Sequence, residues 1–366
     1  MKFLSTLILV VMLFPLNGCG HKYSVDSPFS ELQKEAEAGN TSAQFYLGNK
    51  YYEGNGVPQD FAKAAEWYQI PADQGDAVSQ NNLGTMYSKG EGVPKDLSKA
   101  AEWYQKSADQ GDALAQDNLA ALYKTGDGVP QNYNMAIKWF QKSADQGNAF
   151  AQFNLGWMYK NGDGVPKDAI KAMEWFQKSA DQGDAAAQNI LGFIYYKGDG
   201  VPEDVIKAAE WFQKSADQGN ASAQNNLGSM YYEGNGVPQD FAKAAELYQK
   251  SAAQGNANGQ YNIGRKYALG EGVPKDVHKA AEFLQQSAAK GNVDAQSNLG
   301  YMYKIGQGVA KNIVLSYAWS NLAASQGDKI ALKDRNEIES QLTPSQLLEG
   351  QQLASNWKKG DILTTK

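Results

Sequence analysis

The pair Val-Pro returns every 36 residues, at 57, 93, 129, 165, 201, 237 and 273, with Val309-Ala310 at the eighth place. A Leu-Gly pair keeps the same interval at 47, 83, 155, 191, 227 and 299, with Leu119-Ala120 and Ile263-Gly264 in the two remaining places. A strict period of this size, without insertions, marks one supersecondary unit stacked on copies of itself. A 36-residue unit lies below the roughly 40 residues at which a core sustains a fold by itself. Each copy must therefore bury its apolar side against its neighbours. The expectation is a solenoid, although 366 residues would suffice for two or three globular domains.

Each unit reads as two helices. The first opens at Asn40, Asp76, Asp112, Asn148, Asp184, Asn220, Asn256 and Asn292, each a good N-cap preceded by a Gly suited to the left-handed end of the helix before it. Ala43, Leu47 and Tyr51 then fall at i, i+4 and i+8, the spacing of a buried stripe. A turn such as Gly54-Asn55-Gly56-Val57-Pro58 follows, and its Pro marks a boundary. The second helix is capped by Asp60, Asp96, Asn132, Asp168, Asp204, Asp240, Asp276 and Asn312, with Ala64, Tyr68 and Ala72 as its stripe. Small residues such as Gly48 and Ala64 let the pair approach closely. Gln69-Ile70-Pro71 replaces Gln-Lys-Ser in the first copy, which predicts a kink in that helix and a weaker first interface. The recurring Trp67, Trp103, Trp139, Trp175 and Trp211 are expected between repeats, in the core.

The pattern A-x-x-x-L-G-x-x-Y, then G-x-G-V-x-x-D, then K-A-x-x-W-Y/F and a closing Ala-x-x-Gly resembles the Sel1-like repeat, which is related to tetratricopeptide repeats. The resemblance implies an all-α fold, an α/α solenoid winding as a right-handed superhelix, with eight repeats over residues 40–327. Residues 29–39 read as an N-terminal capping helix and 328–366 as a C-terminal helical cap with a polar outer face. Within that cap, Thr343-Pro344-Ser345-Gln346 forms a capping box that opens a final helix.

The first residues stand apart. Lys2 precedes an apolar run from Phe3 to Phe14, too short to span a bilayer and suited to a signal-peptide core over 1–18. Leu16-Asn17-Gly18-Cys19 resembles the bacterial lipobox, which implies that Cys19 is acylated and that 19–28 form a tether. An ordinary secretory signal is the alternative. Cys19 is the only cysteine, so it has no disulfide partner within the chain. With Gly20 after it, the resemblance points to an outer-membrane lipoprotein of the bacterial envelope, facing the periplasm or the cell surface.

Catalytic chemistry finds no foothold. Ser287-Ala288-Ala289-Lys290, Ser355-Asn356-Trp357-Lys358 and Lys124-Thr125-Gly126 match two of the three serine β-lactamase patterns, but S-D-N is absent and Ser287 occupies the slot of Ser107, Ser143 and Ser215. His21 lies in the tether and His278 at a variable position, which leaves no partner set for a triad or a metal site. The Gly-x-Gly turns lack the G-K-[ST] of a phosphate loop and the closing glutamate of a calcium loop. No catalytic residue, metal or cofactor is expected. A net charge of −6 argues against a nucleic-acid partner.

Function is expected where the copies differ. The positions of Phe45, Asn49 and Tyr52 lie on one helical face and become Phe153/Trp157/Lys160, Phe193/Tyr196, Tyr261/Arg265 and Tyr301 in later copies. The tetratricopeptide resemblance places this face in a concave groove that holds peptides, and its aromatic and Arg content suits a binding surface. Asn82, Asn118, Asn154, Asn226, Asn262 and Asn298 stand beside it. Their amides suit either a peptide backbone or bonds between neighbouring repeats. The expectation is a monomeric, non-enzymatic adaptor with a protein or peptide partner, touching membrane only through its lipid. The alternatives are a periplasmic cell-wall-related or β-lactam-hydrolysing enzyme, and a surface or secreted factor that binds host proteins.

Overall fold

The computed structural model describes residues 23–365. Cys19, His21 and the expected signal segment lie outside the described residues. The chain divides into two compact units, Met1–Asn148 and Ala149–Lys366, and the division falls between the third and fourth repeats. Nineteen helices and no strand occur among the described residues.

In the first unit α1 (Phe29–Glu37) precedes three antiparallel pairs: α2 (Thr41–Glu53) with α3 (Phe61–Asp73), α4 (Ala77–Lys89) with α5 (Leu97–Asp109), and α6 (Ala113–Thr125) with α7 (Tyr133–Asp145). The second unit holds five pairs: α8 (Ala149–Asn161) with α9 (Ala169–Asp181), α10 (Ala185–Lys197) with α11 (Val205–Asp217), α12 (Ala221–Glu233) with α13 (Phe241–Ala253), α14 (Ala257–Leu269) with α15 (Val277–Ala289), and α16 (Val293–Ile305) with α17 (Ile313–Ser325). It ends with α18 (Lys329–Glu339) and α19 (Pro344–Asn356). We call the first helix of a pair the A-helix and the second the B-helix. Within each unit this is an α/α repeat stack.

The caps form as the sequence requires. Asn40 accepts from the Ala43 amide at 3.0 Å, and Asp60 from the Lys63 amide at 3.0 Å. The A-helix of the first repeat stops at Gly54, where φ is +71° and a side chain would be strained. The second turn glycine has a different reason to exist. A Cβ on Gly92 would lie 2.1 Å from the Phe61 carbonyl oxygen, and one on Gly236 2.3 Å from that of Val205. That glycine is where a turn meets the B-helix of the preceding repeat. Gly56, in the first copy, has nothing within 4 Å.

In five repeats the glycine in the middle of the A-helix seats a B-helix ring; Ala120 replaces it in the third, and Gly264 and Gly300 meet Leu284 and Ser320. A Cβ on Gly48 would stand 2.8 Å from Tyr68, and one on Gly192 2.6 Å from Phe212. The expected close approach therefore runs through Tyr68 itself. Leu47, Tyr68, Leu83 and Met86 are buried in the first unit, and Phe176, Leu191, Phe212 and Leu227 in the second. Trp139 and Trp211 are buried, while Trp67, Trp103 and Trp175 are half-buried. Lys106 and Lys178, three residues on from Trp103 and Trp175, each lie 3.9 Å above the ring centroid.

Polar staples join the A-helix and B-helix within a repeat. A buried B-helix Ser donates to the carbonyl that opens the preceding A-helix: Ser107 to Ala77 at 2.7 Å, Ser143 to Ala113 at 2.6 Å, Ser215 to Ala185 at 2.6 Å. The Gln three residues later donates to the Gln on the A-helix of the same repeat: Gln110 to Gln80 at 2.8 Å and Gln218 to Gln188 at 2.8 Å. Pro71 occupies the serine position and has no hydroxyl. It sits inside α3 without ending it, and α3 has the same 13 residues as its counterparts. The substitution also changes the seam between α2 and α3 of the first repeat, where Gln74 accepts from Thr41 and the buried Oε1 of Gln44 finds no partner.

The period outlasts the eighth repeat. Asp328 caps α18 by accepting from the Ala331 amide at 2.7 Å, and Ala331 and Ile338 are buried like an A-helix stripe. The capping box at Thr343 forms, opening α19. With α18, α19 and Leu363 around it, α17 is apolar on nearly every side and buries Leu315, Trp319 and Leu322. The outer surface of this end is not uniformly polar, since Ile330 and Leu348 are exposed.

Candidate partner-binding face

Residues at the positions of Phe45, Asn49 and Tyr52 share one face of each A-helix because i, i+4 and i+7 nearly coincide in azimuth. What they can do depends on the B-helix ring seated on the glycine beside them. Where that ring is Tyr, its hydroxyl reaches the middle position. Tyr68 donates to Asn49 Oδ1 at 2.6 Å, Tyr248 donates to Ser229 Oγ at 3.1 Å, and the Tyr104 and Thr85 hydroxyls lie 3.2 Å apart. Burial pushes the hydroxyls of Tyr104 and Tyr248 up to about 12, so they are neutral donors. Where the ring is Phe, no hydroxyl emerges and the middle residue is apolar: Ala121 with Phe140, Trp157 with Phe176, Phe193 with Phe212. Trp157 meets Phe176 edge-on at 5.7 Å.

This rule corrects the expectation for Asn49. Expected on the open face, it is only 5% exposed and is committed to Tyr68. Phe153, Phe193, Arg265 and Tyr301 have no such hydroxyl. Phe193 is 45% and Tyr301 49% exposed, and Arg265 is exposed beside Tyr261. Phe45 is half-buried against Tyr68, and Phe153 packs edge-on with Phe176 at 5.7 Å.

The third position turns toward the next repeat. Tyr52 donates to Glu91 at 2.8 Å, and burial followed by that bond raises its pKa. Lys160 lies 3.5 Å from Asp199 across the same 39-residue step. Lys304 is held by Glu337 at 2.9 Å and Asp334 at 3.3 Å, which raises its pKa. Tyr196 remains half-buried with Lys197 5.1 Å above its ring. Tyr52 and Lys160 are thus inter-repeat contacts before they are ligand contacts.

Three of the asparagine amides bond between repeats, while Asn154 donates to the Phe150 carbonyl of its own helix at 3.1 Å. Asn118 donates to Asn81 at 3.1 Å, Asn226 to Asn189 at 3.2 Å and Asn262 to Asn225 at 2.9 Å. The residues that sequence reasoning passed over are the serine and glutamine staples. The signal was present, because Gln recurs at 44, 80, 116, 152, 188, 224, 260 and 296 without exception. Ser287, weighed as part of a catalytic pattern, donates to the Ala257 carbonyl at 2.7 Å. His278 Nδ1 lies 3.0 Å from the Gly308 carbonyl oxygen, where Ser98 makes the equivalent bond to Gly128.

On the A-helix faces the exposed large apolar side chains are Phe150, Phe193, Leu269, Tyr301 and Ile305, all in the second unit. In the first unit the one exposed large apolar residue among the described residues is Ile70, on a B-helix. No described helix is long and apolar enough to cross a membrane.

No curated protein matches the chain. Solved structures that resemble it include two at about 30% identity. A Sel1 repeat protein from Oxalobacter formigenes is 30% identical with a TM-score of 0.63, covering 89% of this chain and 98% of that one. A protective antigen present in uropathogenic Escherichia coli strains, displaying an SLR fold, is 29% identical with a TM-score of 0.58, covering 91% and 94%. The Sel1 repeat model matches eight times without a gap, at 41–76, 77–112, 113–148, 149–184, 185–220, 221–256, 257–292 and 293–328, and the chain belongs to the Sel1 repeat family.

Proposed function

We propose that this protein is a non-enzymatic adaptor that holds a protein or peptide partner on the A-helix face of its second unit. Sel1 repeat proteins generally mediate protein–protein interaction. The observation that carries the reading is the release of Trp157 and Phe193 from any tyrosine latch, which leaves Phe193 exposed and Trp157 half-buried over Phe176. Exposed aromatic side chains on a rigid scaffold are the composition that hot spots favour. Replacing Trp157, Phe193 and Tyr196 together with Ala removes this surface while leaving the Gly192–Phe212 seat untouched. The variant is expected to melt cooperatively and to lose at least tenfold in partner capture from the native bacterium, as roughly two hot-spot residues would carry. Undiminished capture by the folded variant would refute the assignment.

The lipobox-like Leu16–Cys19 supports anchoring of the adaptor to the bacterial envelope through an acylated Cys19, on the outer membrane. Cys19→Ala is expected to move the protein out of the membrane fraction and to abolish palmitate labelling. Retention of either would remove the anchor from the proposal.

A further inference from the structure

We infer that Arg265 on α14 receives the side-chain carboxylate of an Asp or Glu in an extended segment of the partner, whose neighbouring residues lie on Leu269, Tyr301 and Ile305. The inference rests on the partner-binding reading above and gives that partner its chemistry.

The chain carries 34 Lys and Arg, but only Arg265 and Arg335 are arginine. Arg335 is consumed locally, donating to Asn336 at 2.7 Å and to Asn321. Arg265 is exposed, lies 5.7 Å from the Tyr261 ring centroid and makes no ion pair among the described residues. A guanidinium held beside an aromatic ring presents a planar fork that matches a carboxylate by two parallel hydrogen bonds, which a lysine cannot do.

The same repeat gives its own carboxylate, Glu271, a direct bond to another cation, although Glu271 also feels the Arg265 charge. Lys266 is 2% exposed, at a position where other A-helices carry Met86, Met158, Met230 and Met302. A buried ammonium needs a partner. It donates to Glu271 at 2.8 Å and lies 3.2 Å from the Tyr232 ring centroid. That bond holds the Glu271 carboxylate below its usual range, so it is fully charged, and occupies it. Lys266 is therefore a positioning residue. It takes the direct ion pair with the glutamate and so leaves the Arg265 fork without one. Glu233 and Asp294 are exposed on the same helix series and pair with neither cation.

Apolar ground surrounds the guanidinium. Leu269 stands one turn along the helix and is 54% exposed. Tyr301 occupies the register of Arg265 in the next repeat, with Ile305, 47% exposed, a turn beyond it. The register of Leu269 and Ile305 is charged or polar elsewhere, as in Glu53, Lys89, Asn161 and Glu233. With Tyr261 on one side and Leu269 on the other, the occupant continues in both directions past Arg265. A side-chain carboxylate fits this better than a chain end.

Selection of random decapeptides, blocked at both ends, on the purified protein tests the inference. Peptides with Asp or Glu beside Leu, Ile or Phe are expected to be enriched. The best of them should bind Arg265→Gln about tenfold or more weakly by fluorescence anisotropy, with Arg265→Lys intermediate. Lys266→Met, which installs the residue found in four other repeats, should weaken the acidic peptide by freeing Glu271 and leave an apolar peptide unaffected. Enrichment of apolar peptides without acidic preference, or an acidic preference that survives in Arg265→Gln, overturns the inference while leaving the adaptor reading intact. Failure to enrich any peptide counts against both.

Discussion

The two units are built from the same 36-residue period, yet their A-helix faces differ. In the first unit two of three middle positions, Asn49 and Thr85, are buried under tyrosine hydroxyls from Tyr68 and Tyr104. In the second, only Ser229 is engaged in this way, and Trp157, Phe193, Arg265 and Tyr301 are left to face solvent or a partner. Where a ring fills the seat, a single oxygen on it decides between these outcomes; in the last two repeats Leu284 and Ser320 fill the seat instead. The scaffold contacts survive the exchange because Tyr and Phe fill the same seat on the glycine. The surface chemistry does not. Variation down a repeat array is therefore partly intramolecular: a polar residue on the face can be the answer to a neighbouring tyrosine and carry no information about a ligand.

The comparison can be broken first at Asp117. It stands on the first unit's face, where other repeats carry Phe45, Phe153 or Asn189, and its carboxyl oxygen Oδ1 is enclosed without a partner. Burial pushes its pKa up to about 7, against a smaller opposing pull from Lys124. Between about pH 4 and that value the folded state holds a proton that the unfolded state has released, so stability falls as pH rises and the penalty is complete above it. Asp117→Asn should remove the slope and raise stability at pH 8 by about 1–4 kcal/mol, at about 1.4 kcal/mol per pKa unit. Thermal melts of both proteins across pH 4.5–8 provide the check. Parallel curves would mean that the carboxyl is solvated and that the first unit's face is less closed than described.

The smaller effect tests the tyrosine rule directly. Phe212→Tyr gives the second unit a hydroxyl aimed at Phe193, with no partner, and should cost about 1–3 kcal/mol in urea unfolding. Adding Phe193→Ser recreates the Tyr248–Ser229 pair of a neighbouring repeat and should recover about 1 kcal/mol or more as coupling between the two sites. Independent, additive effects would show that the hydroxyl does not govern the middle position. The double variant should also bind the partner as weakly as the loss of Phe193 alone.

Most of the scaffold was legible from residues because its rules are local. The N-caps at Asn40 and Asp60, the glycine stops and the capping box at Thr343 depend on a few neighbouring backbone groups and form as read. Pro71 was harder. Its missing N–H lies in the last turn of α3, where the helix continues, while its missing hydroxyl matters 30 residues away at Thr41. The face was least legible. Phe45, Asn49 and Tyr52 look equivalent on a helical wheel, yet one packs on a ring, one is buried under a hydroxyl and one bonds the next turn.

By itself the sequence determined that this chain stacks paired helices, because a short period forces each copy to hide its apolar stripe on the next. It also determined where each helix begins and ends. Only the tertiary structure decided which variable residues remain available, since availability depends on a tyrosine hydroxyl or a turn carboxylate brought alongside from 19 or 39 residues away. Helical spacing sets direction, but the partner that meets a side chain is set by packing between helices.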